Sequence, residues 1–509
     1  MSITFNNIPN TTRTPNVYAE IDNSRALQGL ATNPHKALIM GQKTSAGSVN
    51  YQTLIAITRD NLADGYFGAG SELARMCNAF KTTNPNTELY AMALSADGNG
   101  TGVQASAHVD FSKMVAGASA GGIYAQCISG AGYWYLLING TKITVPLTSN
   151  MSGKAIAQAL SAVMAVSAYS QLPVHLTTSN GSAYFSAVCS GAQGNFINLR
   201  VNYYTGESTI STLLSTSNLT AMAGGSGGGL VTDSWSVIED EQFHYIIQPY
   251  TDTTNLSSIE NELENRFSPT EDIQGHGFTC YAATQGNCTT LGNSRNSPYN
   301  TIFGIYDSPT APEEIASIAG AVAAKYLNID PARPLHYLRL PNVLPPPVEN
   351  RFTRAERETL LYDGIATTIT DSGGNQLIER CITTFQANAL GLPDWSYLDI
   401  QTMATLSEIR YQFKTRMINR FIMPRFKLAD DSFPIRTGSY VATPSTIKSE
   451  IISLFYLLRD RGLIENVEEF VANLIVERDS TDRNRVNVLL NPDLINQFRV
   501  IAAKIQFIL

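Results

Sequence analysis

The chain has 509 residues, a formal net charge of −8, and 43% apolar against 15% charged side chains. That length exceeds what one hydrophobic core sustains and predicts about three domains. The acidic balance, with no run of Lys or Arg, argues against a nucleic-acid-binding surface, and no stretch approaches the ~20 apolar residues of a membrane span.

Residues 1–25 read as an arm. Met1 to Thr14 is rich in Asn and Thr, with Pro9 and then Pro15, and is too polar to nucleate a core. Val17, Ala19 and Ile21 then alternate with Tyr18, Glu20 and Asp22, which predicts a short strand on a leader. The opening M-S-I-T-F-N-N has neither the basic nor the apolar region of a secretory signal, so synthesis in the cytoplasm is the expectation.

From 26 to 94 the pattern is α/β: a strand over 35–41, a helix capped by Ser71 and running to about Lys81, and a strand over 89–94. Charge then falls away, and only 8 of the 78 charged side chains lie between residues 91 and 235. This Ser-, Ala-, Gly- and Thr-rich stretch carries alternating runs on either side of Asn139-Gly140, a strong hairpin signal, and one helix over 154–169. It reads as a β-rich domain, 95–235, inserted into the α/β one.

The α/β rhythm resumes over 236–345, with strands at 243–248, 277–283 and 301–306 and helices at 256–267 and 312–327. The second helix has Pro312 in its first turn, followed by Glu313 and Glu314, where the macrodipole favours acids. Pro345, Pro346 and Pro347 mark a rigid break. Beyond it, residues 346–492 read as a C-terminal α+β core domain. Helices are expected over 354–364, 396–423 (ended by Pro424) and 444–461, with a hairpin closed by Asp371-Ser372-Gly373-Gly374 and strands at 474–478 and 485–490. The fold class is therefore multidomain α/β and α+β: a discontinuous α/β domain (26–94 plus 236–345), an insert, a C-terminal domain and two strand arms.

The second arm is 493–509. Ile501, Ala503, Ile505, Phe507 and Leu509 fall on one side of a period-2 pattern, with Ala502, Lys504, Gln506 and Ile508 on the other. An unpaired apolar strand is a template for another chain. Both arms are thus candidate fasteners between subunits, the alternative being that they pair within their own subunit.

Several motifs invite chemistry. Gly117-Ala118-Ser119-Ala120-Gly121 fits the G-x-S-x-G of a nucleophile elbow, making Ser119 the candidate of a serine-hydrolase reading, but no helical stripe follows it. Gly224 to Gly228 fits the same expression, and Gly224 to Gly229 reads better as a flexible hinge. Phe67-Gly68-Ala69-Gly70-Ser71 resembles a dinucleotide loop with Leu73 where a third glycine belongs; a helix-entry turn is the simpler account. Tyr133, Trp134 and Tyr135 permit a glycan-binding adhesin, though a hairpin core uses them equally well. Arg410, Lys414, Arg416, Arg420 and Arg425 give the long helix a basic stripe that could face an acidic polymer or tube, unless Glu408 and nearby acids pair with it. The six cysteines (Cys77, Cys127, Cys189, Cys280, Cys288, Cys381) contain no C-x-x-C pair and the six histidines are dispersed, so neither a metal nor another cofactor is expected.

Asp330-Pro331-Ala332-Arg333-Pro334-Leu335 with Leu340-Pro341 and the proline run closely resembles the contractile tail sheath proteins of Mu-like phages. The resemblance continues through Arg351-Phe352-Thr353, Gly364-Ile365-Ala366-Thr367, Arg380-Cys381-Ile382-Thr383-Thr384, Lys427-Leu428-Ala429-Asp430-Asp431, Val476-Glu477-Arg478 and Asn496-Gln497-Phe498-Arg499-Val500. It is weakest across 95–235, as in a family that hangs a variable outer domain on a shared core. The resemblance implies a non-enzymatic virion-tail protein, assembled in the host cytoplasm as six-membered rings stacked around a tail tube. It further implies arms that complete a sheet in a neighbour, contraction that drives the tube through a bacterial envelope, and tube, baseplate and tail terminator proteins as partners.

Overall fold

The computed structural model describes residue 14 and residues 29–95, 102–111, 131–204, 206–207, 219–434 and 439–508. Two compact units are present: Pro34–Ala404 with the chain end from Gln497, and Thr405–Asn496 with the described residues up to Asn33.

The larger unit is organised by one sheet. Its first part comprises β1 (Lys36–Gln42), β2 (Leu54–Ala56), α1 (Leu62–Phe67), α2 (Glu72–Thr83) and β3 (Glu88–Leu94). The insert supplies β4 (Ser106–Asp110), β5 (Gly132–Ile138), β6 (Thr141–Leu147), α3 (Gly153–Met164), β7 (Val174–Ser179), β8 (Ser182–Ala187) and β9 (Leu199–Val201). After the insert come α4 (Trp235–Ile238), β10 (Tyr245–Ile247), α5 (Thr253–Phe267), β11 (His276–Ala282), α6 (Gln285–Asn293), β12 (Asn300–Ile305), α7 (Pro312–Ile329), α8 (Arg354–Tyr362), β13 (Ala366–Thr370) and β14 (Gln376–Arg380).

Eight strands pair in the order β14-β13-β12-β11-β10-β1-β3-β2, parallel except for the two edge strands. Strand alternation sends Ala37 and Ile39 to one face, against α2 and α7 through Phe80, Ile315 and Ala319. Leu38 and Met40 go to the other, against Ile259 and Leu263 of α5. Both faces are covered, which is why β1 reads as a continuous apolar run.

The sheet runs past the proline break, since β13 and β14 extend it, so the expected boundary at 345/346 passes through a single sheet. The proline run is a pinned crossing segment: the Leu344 carbonyl accepts from Ser308 Oγ at 2.7 Å, and Tyr203 donates to the Pro345 carbonyl at 3.0 Å.

The insert forms two three-stranded sheets, β4-β8-β7 and β6-β5-β9, around its own core. Asn139 and Gly140 have φ of 43° and 78°, the left-handed pair that a type I′ turn requires. Trp134 is buried edge-on against Phe111, with ring centroids 5.3 Å apart. The adhesin reading thereby loses its central aromatic to the core, leaving Tyr133 exposed. The hinge expected at Gly224 to Gly229 is instead pinned: Ser226 bridges Val103, Gly225 exchanges two hydrogen bonds with the Asn195 side chain, and Ala192 donates to the Gly227 carbonyl. Ser119 lies outside the described residues.

The smaller unit contains α9 from Thr405 onward (the helix spans Ile400–Met417 and runs into a π turn, Ile418–Ile422), β15 (Lys427–Leu428), β16 (Val441–Ala442), α10 (Pro444–Asp460), β17 (Ile464–Glu465), α11 (Val467–Asn473), β18 (Ile475–Arg478), β19 (Val486–Leu489) and β20 (Asp493–Leu494). Thr443 caps α10 in a capping box with Thr446. Phe455 and Phe470 stack 3.9 Å apart in the core. Residues 501–508 of the expected strand 501–509 carry no strand: a ladder needs a neighbour to accept its hydrogen bonds, and none of the described residues supplies one to them.

Candidate assembly surfaces and the closed crevice

In an open α/β sheet, ligands sit beyond the carboxyl ends of the strands, where the strand order reverses. Here that point lies between β1 and β10, with β3 on one side and β11 to β13 on the other. Gln42 ends β1, Tyr250 lies just beyond β10, and Phe67 to Ser71 leads into α2. Glu72, the first residue of that helix and 3% exposed, fills the crevice. Its Oε1 accepts from the Gln42 backbone at 3.0 Å and from the Tyr250 hydroxyl at 3.2 Å.

One turn on, Arg75 pairs with Glu313 at 2.6 Å and Glu314 at 2.5 Å, at the start of α7. Three carboxylates thus face one guanidinium. Burial first, and the charge of Glu313 second, push Glu72 up to about 7. Only about 20 Å³ of space remains, against the ~300–1,000 Å³ of ordinary ligand pockets. The dinucleotide reading of 67–71 fails for this reason: the chain's own carboxylate occupies the place where a pyrophosphate would meet the helix N-terminus. Ser71 is a helix cap, accepting from Ala74 at 3.2 Å. At Gly229 a Cβ would meet the Tyr250 hydroxyl at 2.4 Å, so only glycine lets the insert's last loop close over this ring.

The C-terminal arm is rooted on the larger unit. Gln497 donates to the Ala332 carbonyl at 2.6 Å, and Arg499 pairs with Asp399, which Arg380 also reaches at 3.3 Å. Beyond that root the side chains stand in solvent. Of the expected interface residues, Ile501, Ala503, Ile505 (89% exposed) and Phe507 (78% exposed) are all exposed; Leu509 lies outside the described residues. Phe498, Val500 and Ile508, which the alternation does not single out, are exposed as well.

Val17, Ala19 and Ile21 lie outside the described residues. Further along, residues 31–33 are held by α9 of the smaller unit. Gln412 exchanges hydrogen bonds with the Ala31 backbone at 2.8 and 2.7 Å, Tyr411 donates to the Thr32 carbonyl at 2.9 Å, and Asn33 donates to Glu408 at 3.1 Å. Glu408, the acid that helical spacing sets beside the basic stripe, holds Asn33, Gln412 and, at 2.8 Å, Arg461.

The stripe itself divides. Arg416 is engaged by Glu450 of α10 at 2.5 Å, and Arg420 lies 3.6 Å from the same carboxylate. Arg410 is half-buried and Lys414 exposed on the helix, while Arg425 sits past its end with φ of 62°, in a turn closed onto the Ile422 carbonyl at 2.9 Å. Ile422 and Met423, 70% and 68% exposed, share this tip. A third surface is the ribbon β18–β19, paired antiparallel from Ile475↔Leu489 to Arg478↔Val486, the longest two-stranded sheet among the described residues. β18 lies against α10, and neither strand of the ribbon pairs with a third among the described residues.

A model of the phage tail sheath protein central domain matches residues 224–384, and one of the phage tail sheath C-terminal domain matches 393–508. The chain is 36% identical over 509 residues to the Mu-like prophage FluMu tail sheath protein of Haemophilus influenzae, with 100% of each covered. Among solved structures, it is similar to the crystallised sheath tail protein of Desulfitobacterium hafniense, with TM-score 0.46, 14% identity, and 94% of this chain and 100% of that one covered. It is also similar to the contracted helical sheath of the anti-feeding prophage, with TM-score 0.46, 11% identity, and 97% and 99% covered.

Proposed function

Because this chain belongs to the phage tail sheath protein family, we propose that it is the structural subunit of a contractile tail sheath, polymerising as stacked six-membered rings around a tail tube and contracting to drive that tube through a bacterial envelope. The observation that carries this reading is the C-terminal arm: a rooted segment whose apolar side chains lie exposed and whose strand pattern finds no ladder among the described residues.

An arm of this kind is completed by a second copy. Its acceptor is an open edge of β18–β19, which a donated strand would extend into a larger sheet. Val17, Ala19 and Ile21 act as the second fastener. One donated strand binds weakly, because ordering its backbone offsets most of what its hydrogen bonds and buried side chains contribute. A lattice in which every copy lends and receives strands multiplies that weak contact, while the unassembled subunit stays dissociable.

Within such a lattice Arg410, Lys414, Arg416, Arg420 and Arg425 face the tube, with the Arg420 to Arg425 tip making the nearest approach and Arg416 positioned through Glu450. Residues 95–235 form the outer domain. Baseplate and terminator proteins bound the polymer, which assembles in the host cytoplasm. The free energy of contraction resides in contacts between subunit bodies. Negative-stain microscopy of the purified chain tests the reading: hollow, striated cylinders are expected, and particles that remain single at all concentrations contradict it.

A further inference from the structure

We infer that the carboxyl edge of β12 and β13 holds a binding site for a small oxyanion, a phosphate or carboxylate group, with Arg351 as its principal ligand. The two strands are parallel neighbours, registered Phe303↔Ala366 and Gly304↔Thr367. Past their carboxyl ends lies a cavity of about 100 Å³, walled by Tyr306, Thr368 and Thr370 on the sheet side and by Arg351, Phe352 and Arg357 on the other. Those last three lead into or belong to the first turn of α8, so the positive end of that helix is at the same edge. Unlike the crevice between β1 and β10, this one is lined by no carboxylate among the described residues.

The charge balance favours an anion. Arg357 is matched by Glu379 at 2.8 Å, and its Nη1 donates to the Phe352 carbonyl at 2.6 Å. Asp307, the other carboxylate near this end of β12, is taken by Arg200 and Asn350, both at 2.6 Å. Arg351 donates through Nε to the Pro346 carbonyl at 2.9 Å and forms no ion pair among the described residues, so its charge is not matched by a carboxylate in direct contact. Thr368 Oγ accepts from Gln376 Nε2 at 2.7 Å and keeps its own proton to donate. A planar fork and a hydroxyl at the mouth of a buried strand end suit a carboxylate or phosphate. The space admits either group and excludes a nucleoside.

The group could be a free anion or an acidic side chain of a neighbouring copy. The test uses the full-length unassembled subunit, so its outcome does not depend on cylinder formation. Thermal unfolding is followed in sodium phosphate against sodium chloride at matched ionic strength, for the wild type, Arg351→Gln and Arg351→Lys. The site requires a saturable rise of about 2–4 °C specific to phosphate in the wild type, loss of that rise in R351Q and partial retention in R351K. No phosphate-specific rise in the wild type, or an equal rise in all three, overturns the site. Where the rise is present, cylinders that form less readily at saturating phosphate in the wild type, but not in R351Q, assign the group to a neighbour's carboxylate. Cylinders that form equally well assign it to a free anion.

Discussion

Arg499 closes an ion pair on Asp399, the same carboxylate that Arg380 approaches at 3.3 Å from the end of β14. Asp399 is buried, and burial pulls the Arg499 guanidinium down from its ordinary value even as Asp399 opposes the change. The arm therefore leaves the body from a fixed point, and only the residues beyond Arg499 are at liberty to find a partner. Asp399→Asn removes the charge that two guanidiniums share and should lower stability by ~1–3 kcal/mol, less than a fully buried pair would lose because both arginines remain about 30% exposed. Arg499→Gln should cost under ~1 kcal/mol yet weaken assembly. Urea unfolding and a pelleting assay on the two variants separate these effects; equal assembly by R499Q and the wild type would contradict a role for the root.

The Glu72 cluster makes stability depend on pH in a stated direction. The folded carboxyl titrates at about 7 against an ordinary value of 4.5, so the folded chain holds this proton more tightly than the unfolded one. Below about 4.5 both states are protonated and burial carries no charge penalty; as pH rises to about 7 the stabilisation is lost, by ~3 kcal/mol in all. Glu72→Gln keeps the acceptor for Gln42 and Tyr250 without the charge. The urea midpoint should fall between pH 5 and pH 8 in the wild type and change less in E72Q, with the variant the more stable of the two at pH 8. Parallel profiles would show that the proton resides elsewhere in the cluster.

At the tip of the basic stripe, Arg420→Glu with Arg425→Glu reverses charge on a surface that contributes little to the fold. Stability to urea should move by no more than ~0.5 kcal/mol. Co-sedimentation with the cognate tail tube protein should fall several-fold at low salt, and the difference should narrow as salt screens it. Unchanged binding at low salt would remove the tip from the tube interface.

Much of the scaffold is legible in the sequence because its signals are local. Ser71 caps α2, Pro312 opens α7, and Asn139-Gly140 closes β5 onto β6, as the residues indicate. Asn180-Gly181 closes β7 onto β8 with φ of 45° and 84°, a hairpin absent from the sequence expectations although the dipeptide is the same; the polar Thr177-Thr178-Ser179 before it hides the alternation. α6 is equally absent from them, since Gln285 to Asn293 contains two glycines and few strong helix formers. Packing of Cys288 beside Ile302, Leu360 and Ile365 overrides that propensity. The proline run signals a boundary because rigidity and domain separation look alike in one dimension, whereas the sheet resumes beyond it at β13. The plug in the crevice cannot be read at all: Arg75 and Glu313 stand 238 residues apart, and no periodicity joins them.

The C-terminal end of the chain carries the same lesson. Period-2 alternation at 501–509 indicates extended pairing, but residues 501–508 form no ladder among the described residues, because alternation marks a strand without naming its partner.

Deletion of Ile501 to Leu509 tests the central claim most directly. The described side chains of this segment are exposed, so the truncated chain should match the wild type in stability to urea to within ~0.5 kcal/mol. Under conditions where the intact chain grows hollow cylinders, electron microscopy should find only dispersed particles; cylinders of normal length and diameter from the truncated chain would contradict strand donation as the bond that holds the sheath together.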